Sequence, residues 1–226
     1  MAVIWKGQVR NLLKADLHIH TEYSIDCATP LNKLIERCLK LGVNCIAIAD
    51  HGTVEGALIL KDIAPFTVIV AEEILTPDGE VMGMFLKETI PSGITVSEVI
   101  SRIRAQNGLV CIPHPFDIFR PSALGSKILE KVADQIDIVE VFNARTLPFQ
   151  NQNKAMSFAE EHILGKSAGS DAHTLPEIGN AYVEMPDFNN KNDFLEALAH
   201  GKIHGRKTNP LTHFASLKNR IIKRFG

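Results

Sequence analysis

Short apolar runs alternate with amphipathic stretches along most of this chain of 226 residues. Seven runs recur in the pattern: DLHIH, CIAIA, TVIVAE, LVCIP, DIVEV, KSAGS and AYVEM. Several are nearly continuous in Val and Ile, which is typical of strands buried on both faces of a sheet. The intervening segments have helical patterns, so the chain predicts strands that alternate with helices.

Local signals mark individual elements. Thr95 and Glu98 form a capping box that predicts a helix over VSEVISRIRAQNG. The turn signal at 77–79 introduces GEVMGMFL, which we interpret as a hairpin arm. A basic helix is predicted over about 212–225, and we interpret its cations, Arg220 among them, as a solvated face.

The alternation predicts parallel strands joined by right-handed crossovers. Neither a linker nor an internal repeat divides the chain, so we expect one domain over residues 1–226, a length that suits an α/β barrel. An open doubly wound sheet is the alternative. It is disfavoured because no Gly-rich phosphate-binding fingerprint follows the first strand.

Composition narrows the function classes. The chain is 45% hydrophobic and 22% charged with a formal net charge of −2, which gives no global sign of nucleic-acid or anionic membrane binding. It shows neither a secretion signal nor an apolar run long enough to cross a membrane, so we expect a cytoplasmic protein without a membrane partner. The four cysteines lack a CxxC pair and are predicted to be buried thiols. The pattern does not specify an oligomeric state.

Metal-binding side chains recur where the apolar runs end. They are His18, His20, Asp50, His51, Glu72, Glu73, His114, Asn143, Asp171 and His173. In α/β barrels the carboxyl ends of the strands form the active face, so six strands would deliver these groups to one rim. Two imidazoles in an HxH pair face the same way on a strand and suit Zn²⁺, Mn²⁺ or Fe²⁺.

Six motifs occur in order: Asp16-Leu-His-Ile-His-Thr21, Ala49-Asp-His-Gly52, Glu72-Glu-Ile74, Ile112-Pro-His-Pro115, Glu140-Val-Phe-Asn143 and Gly169-Ser-Asp-Ala-His173. As a set, from Ala15 to His173, they resemble the successive motifs of the PHP (polymerase and histidinol phosphatase) superfamily. The resemblance implies a distorted (β/α)7 TIM-like barrel, two or three divalent metal ions and hydrolysis of phosphate esters.

The resemblance also implies a ligand set. One metal would bind His18, His20, Glu73 and Asp171, a second Glu73 and His114, and a third Asp26, His51 and His173. The resemblance favours Glu73 over Glu72, because Glu73 precedes Ile74 as in the family's Glu-hydrophobic pattern. Adjacent strand residues face opposite ways, so we expect only one of the two to bind metal. Two positions depart from the family pattern. Glu80 stands where many relatives have His, which favours Mn²⁺ or Mg²⁺ or leaves that site weak. Cys27 stands where Gly is frequent, so of the three sites the third follows the family pattern least closely.

The expected chemistry follows from the charge of a phosphate ester. Metal coordination lowers the pKa of bound water to about 7 and neutralises phosphoryl oxygens, so we expect a metal-bridged hydroxide to attack phosphorus. We place Asp171, His51 and His173 at the reacting centre, where either histidine would protonate the leaving oxygen if the third metal is absent. Arg120, Arg145 and Asn143 are the candidates for binding the substrate.

The preferred substrate is a small phosphorylated metabolite or nucleotide. A phosphodiesterase or exonuclease acting on nucleic-acid ends is the second hypothesis, and it would need a basic groove for several phosphates. Nucleic acid is not favoured because the barrel leaves little additional chain. An amidohydrolase would also begin with HxH, but a mid-chain Lys placed as a bridging carbamate is not evident. An inactive metal-binding regulatory module is the non-enzymatic alternative, and the near-complete ligand set argues against it.

Overall fold

The strands form one mixed sheet. A computed structural model describes residues 2–5, 8–147 and 153–225. Its strands are β1 (Ala2–Trp5), β2 (Gln8–Ile19), β3 (Cys45–Ile48), β4 (Thr67–Thr76), β5 (Gly79–Met84), β6 (Leu109–Ile112), β7 (Ile138–Asn143), β8 (Gly165–Gly169), β9 (Ala181–Pro186) and β10 (Lys202–Gly205). The helices are α1 (Leu31–Leu41), α2 (Glu55–Ile63), α3 (Val96–Ala105), α4 (Ser126–Lys131), α5 (Asn153–Glu161), α6 (Lys191–Ala199) and α7 (His213–Phe225).

The sheet curves into a nearly closed barrel, which confirms the predicted barrel architecture. Its order is β10-β9-β2-β3-β4-β5-β6-β7-β8, and β1 pairs with β2. The sheet nearly closes between β2 and the segment after β8, where Asp171 N donates to His18 O at 2.7 Å and His20 N donates to Ala172 O at 3.0 Å. Gly169 permits this approach, since a Cβ there would lie 2.7 Å from His18 N.

Not all the predicted parallel pairings are correct. β2–β3–β4 and β6–β7–β8 are parallel, but β5 is antiparallel to both of its neighbours and β9 is antiparallel to β2. The β4–β5 turn reverses the chain directly, so the predicted hairpin is confirmed. The segment between β8 and β9 contains only a 3-10 turn at Leu175–Glu177, and antiparallel strands need no crossover helix. The AYVEM run therefore lies outside the parallel repeat.

Apolar residues divide between the interior of the barrel and the layer under the helices. On β4, Ile69 and Ala71 pack in the interior cluster, whereas Val68 and Val70 pack with the helices. Phe194 of α6 joins the interior cluster at the amino ends of the strands. Polar side chains occupy the opposite end of the barrel, at the carboxyl ends of the strands, as expected for α/β barrels.

Other local predictions also agree with the structure. The capping box of α3 is present, since Thr95 Oγ1 accepts from Glu98 N at 3.3 Å and Glu98 Oε2 accepts from Thr95 N at 3.0 Å. All four cysteines are buried and outside disulfides. Helix α4 is followed directly by a 3-10 turn at Ala133–Gln135. No helix within the described ranges has the length and apolarity needed to span a bilayer.

Candidate metal centre

Four buried side chains converge beneath the carboxyl end of the barrel. His18 and His20 come from the end of β2, Glu73 from β4, and Asp171 from the segment after β8. His18 Nε2 and His20 Nε2 are 3.2 Å apart. Glu73 Oε2 lies 3.4 and 3.5 Å from these two nitrogens, and Asp171 Oδ1 lies 3.7 and 3.3 Å from them. Two imidazole nitrogens and two carboxylate oxygens thus face one small volume.

The donor atoms of this group fit a divalent cation. Among the described residues, Glu73 Oε2 and Asp171 Oδ1 are buried without a hydrogen-bond partner. A buried carboxylate oxygen left in this way is costly, and a bound cation would satisfy it. Imidazole nitrogen with carboxylate oxygen is a ligand set that Zn²⁺, Mn²⁺ and Fe²⁺ accept.

A second group of donors surrounds the other side of Glu73. Glu73 Oε1 lies 2.7 Å from His114 Nε2, which is 3.5 Å from Glu80 Oε2. His51 Nδ1 lies 3.5 Å from Glu73 Oε2 and 3.8 Å from Glu80 Oε1. Glu80 therefore reaches the site from β5, and Glu73 lies between two groups of donors. Adjacent Glu72 faces the helices, where its Oε2 accepts from Ile90 N at 2.8 Å.

A third group forms around Asp26. Its Oδ2 lies 3.4 Å from His51 Nε2 and 3.2 Å from His173 Nε2. Ser24 Oγ donates to Asp26 Oδ1 at 2.8 Å. Cys27, the departure from the family pattern, donates from Sγ to the carbonyls of His20 and His173 at 3.3 and 3.2 Å. The thiol thus ties the loop that carries Asp26 to the rest of the site.

Together these groups make the ligand cluster: His18, His20, Asp26, His51, Glu73, Glu80, His114, Asp171 and His173. Burial alone would raise the pKa of Glu73 and of Asp171. The pKa of Glu73 is nevertheless held well below its usual value by His18 and His51, and that of Asp171 by Arg120 and His18. Burial and the Glu73 charge raise the pKa of Glu80. The cluster therefore contains ionised carboxylates suited to cations.

The histidines of the ligand cluster differ in their affinity for protons. Burial lowers the pKa of His51, but Glu73 and Asp26 outweigh it and raise that pKa to about 9. Burial likewise opposes protonation of His18, yet Glu140, Glu73 and Asp171 raise its pKa well above the usual value. The pKa of His20 falls to about 3 because of burial and the neighbouring His173. A metal ion bound at His18 or His51 would therefore have to displace a proton.

Glu140 also belongs to the site, although the sequence pattern did not identify it as a functional residue. Its Oε1 lies 3.1 Å from His18 Nδ1, while its Oε2 accepts from His114 N at 2.8 Å and Asn143 Nδ2 at 2.9 Å. A carboxylate on one ring nitrogen fixes the orientation of a metal-binding imidazole. The available signal was a glutamate inside the apolar run DIVEV.

Glu177 was missed as well. Its Oε2 accepts from His173 N at 3.0 Å and from Thr174 Oγ1 at 2.8 Å. The 3-10 turn that follows His173 carries this side chain back to the site. Glu177 therefore fixes the backbone of His173.

The backbone is unusual at two members of the ligand cluster. His114 has φ 32° and Asp171 has φ 53°, in the left-handed region that residues other than glycine rarely adopt. Hydrogen bonds hold both conformations, since His114 N donates to Glu140 and Asp171 N donates to His18 O. Such local strain concentrates at functional sites.

The candidate substrate-binding residues lie beside the ligand cluster. Arg120 Nη2 donates to Asp171 Oδ2 at 2.6 Å. Arg145 is buried and donates to Asp171 O at 3.4 Å and Ser216 Oγ at 2.8 Å. Both arginines line a cavity of about 550 Å³ above the cluster. Asn143 Nδ2 donates to Glu140 and to Asp171 Oδ2, at 2.9 and 3.3 Å. Its amide thus contacts acidic residues of the site.

Arg220 corrects the interpretation of the terminal helix as a solvated face. Its Nη2 lies 3.1 Å from Asp26 Oδ2, and its side chain lines the same cavity. The sequence pattern alone did not indicate that α7 packs over the carboxyl end of the barrel.

Comparisons with known proteins agree with this geometry. A family model described as PHP domain matches residues 16–76, and one described as PHP-associated matches residues 150–203. An uncharacterized protein of Methanocaldococcus jannaschii is 36% identical over 180 residues, which cover 78% of this chain and 72% of that protein.

Solved structures share the fold. A two-domain protein from Bacteroides vulgatus, which contains a predicted PHP-like metal-dependent phosphoesterase, superposes with a TM-score of 0.69 at 14% identity, over 93% of this chain and 70% of that one. Endonuclease Q, in complex with a 27-mer duplex that carries an abasic lesion, superposes with a TM-score of 0.61 at 16% identity, over 84% of this chain and 57% of that one. At these identities the likeness concerns the fold.

Proposed function

This chain belongs to the PHP domain family, and on that premise we propose that it is a metal-dependent phosphoesterase that removes phosphate from small phosphate monoesters. One observation carries the proposal. Buried carboxylate oxygens of Glu73 and Asp171, without hydrogen-bond partners among the described residues, face imidazole nitrogens beneath a cavity lined by arginines. Cation sites next to anion-binding side chains are what phosphoester hydrolysis requires.

We assign two or three divalent ions to the ligand cluster. His18, His20, Glu73 and Asp171 would hold the first, His51, Glu73, Glu80 and His114 the second, and Asp26, His51 and His173 the third. The imidazoles favour Zn²⁺, Fe²⁺ or Mn²⁺, and Glu80 shifts the preference toward Mn²⁺ or Mg²⁺. Because His51 belongs to two groups, the second and third ions compete for it.

Bound ions would supply Lewis-acid stabilisation of the phosphoryl oxygens and a water of lowered pKa. Arg120 and Arg145 bind the remaining phosphate oxygens, since guanidinium groups match the geometry of phosphate. Asn143 and Glu140 hold Asp171 and His18 in place. When the third ion is absent, His173, which the first two ions leave unbound, would donate a proton to the leaving oxygen.

The size of the cavity favours a small monoester over a nucleic acid. About 550 Å³ is in the range of sites that enclose a small molecule. Cleavage of a polynucleotide would require cations that follow several phosphates. In α7, Lys223 Nζ instead donates to Ser24 O at 2.7 Å, and so fastens the helix to the Asp26 loop. Phosphodiester cleavage in nucleic acid, the chemistry suggested by endonuclease Q, is the second candidate.

Phosphate release from 4-nitrophenyl phosphate by the metal-reconstituted protein tests the proposal. We expect His20→Ala and Asp171→Ala to abolish metal-dependent release while circular dichroism shows an intact fold. His200→Ala is the matched control, because His200 is an exposed histidine after α6. Full activity in either cluster variant would refute the assignment. Faster turnover of bis(4-nitrophenyl) phosphate than of the monoester would favour the second candidate.

A further inference from the structure

Helix α7 is fastened to both sides of the metal centre. Asn219 Nδ2 donates to Asp26 O at 3.4 Å, and Arg220 Nη2 lies 3.1 Å from Asp26 Oδ2. On the other side, Ser216 Oγ accepts from Arg145 Nη2 at 2.8 Å. These contacts reach a candidate metal ligand and a candidate phosphate-binding residue. The position of α7 over the cavity is therefore coupled to the groups that would perform the chemistry.

The same helix contributes large apolar side chains to the cavity. Phe214 and Leu217 line it, and they are 68% and 56% exposed. Phe119, in the loop that carries Arg120, also lines it and is 57% exposed. Large apolar side chains gathered in one cavity gain free energy when a ligand covers them. Two separate parts of the chain therefore give this cavity an apolar wall.

We propose that Phe214 and Leu217, together with Phe119, form an apolar subsite for the leaving group of the substrate. The substrates are then phosphate monoesters that carry a bulky apolar or aromatic group. This inference rests on the proposed phosphoesterase function. Arg120 and Arg145, beside the ligand cluster, mark where the phosphate binds. The rest of the ester must then occupy the remainder of the cavity, whose wall includes these side chains.

Not every exposed apolar side chain of α7 lines the cavity. Ile222 is 54% exposed on the same helix but is not among the residues that line the cavity. A small polar ester, such as a triose phosphate, would leave Phe214 and Leu217 in contact with water. An aromatic leaving group would cover them, which makes selectivity between the two classes of ester the measurable consequence.

Binding of two phosphonates to the metal-loaded protein tests this inference without relying on turnover. Methylphosphonate and 1-naphthylmethylphosphonate share the anionic group, differ in the apolar part and are not hydrolysed. By calorimetry we expect the naphthyl compound to bind about tenfold more tightly, the effect of burying roughly 60 Å² of apolar surface. Phe214→Ala and Leu217→Ala should each remove most of this difference and leave methylphosphonate affinity unchanged. Ile222→Ala, the control, should change neither affinity.

Two results would overturn the inference. One is equal affinity of the wild-type protein for both phosphonates. The other is a selectivity that persists in the Phe214→Ala and Leu217→Ala double variant. Failure of the proposed function has a different signature, namely a protein that discriminates between the phosphonates but releases no phosphate from any ester.

Discussion

The ligand cluster and the rim of the cavity above it are built in opposite ways. Proposed ligands such as His20 and Glu73 project from strands or strand ends, are almost completely buried and contact side chains from neighbouring strands. The rim, which we define as Phe119, Arg120, Phe214, Leu217 and Arg220, comes from one loop and one terminal helix and is more exposed. The difference suggests that the barrel determines the chemistry and that α7 and the loop determine the substrate. Substitutions in the two regions should therefore affect different quantities.

The largest effect is expected from Glu73→Gln, which removes the carboxylate shared by two groups of donors. We expect metal content to fall and phosphate release to drop by at least about a thousandfold, because metal coordination contributes several kcal/mol and each 1.4 kcal/mol is about tenfold in rate. Elemental analysis and steady-state kinetics measure the two effects. Glu72→Gln is the matched control, since its side chain points toward Ile90. Equal losses in both variants would contradict the assignment.

Glu140→Gln should have the next largest effect. It leaves all proposed ligands in place but removes the negative charge beside His18 Nδ1. Loss of such an outer contact typically weakens metal binding by roughly 10–100-fold. Competition with a fluorescent chelator measures the affinity, with exposed Glu130→Gln as the control. Unchanged affinity would show that Glu140 only supports the fold.

The pKa values predict how metal binding depends on pH. The pKa of His51 is about 9 and that of His18 is raised well above its usual value, so both rings are protonated at pH 7 before metal binds. Metal must displace these protons, so its apparent affinity should rise with pH from pH 6 to pH 9. Calorimetry in buffers of different ionisation enthalpy measures the proton release. A binding enthalpy at pH 7 that is independent of the buffer would contradict this prediction.

The smallest effects are expected at the rim. Arg120→Gln should raise KM about tenfold, because a charged hydrogen bond contributes roughly 1.5–3 kcal/mol. Arg220 has a side chain 54% exposed, so Arg220→Gln should raise KM by no more than about fivefold, in the range of exposed ion pairs. Metal content should remain at the wild-type value in both. Loss of metal in either variant would show that substitutions at the rim also disturb metal binding by the ligand cluster.

Much of the ligand cluster could be predicted because strand geometry is local. The spacing of His18 and His20 places both rings on one face, and alternation along β4 lets only one of Glu72 and Glu73 face the site. The resemblance to the PHP motif, and not the alternation, indicated that this residue is Glu73. The role of Glu140 could not be predicted, because it depends on a contact between β7 and β2 across the barrel. Chain order alone did not indicate this contact.

The direction of β9 and the position of α7 could not be predicted from the sequence pattern either. AYVEM alternates buried and half-buried positions, which is typical of antiparallel strands, but this short run did not by itself identify β2 as its antiparallel partner. The amphipathic pattern of α7 predicts a helix but not the end of the barrel on which it packs. Arg220 consequently resembled a surface cation, although it contacts Asp26.

Anomalous scattering from a crystal grown with Mn²⁺ would show whether the ligand cluster binds metal ions. We expect at least two anomalous peaks, one of them within about 2.0–2.3 Å of the His20 imidazole and the Glu73 carboxylate. Glu73 should contact both ions. Mn²⁺-dependent phosphate release by crystals in which His18, His20, Glu73 and Asp171 lack any adjoining peak would contradict the proposed metal centre.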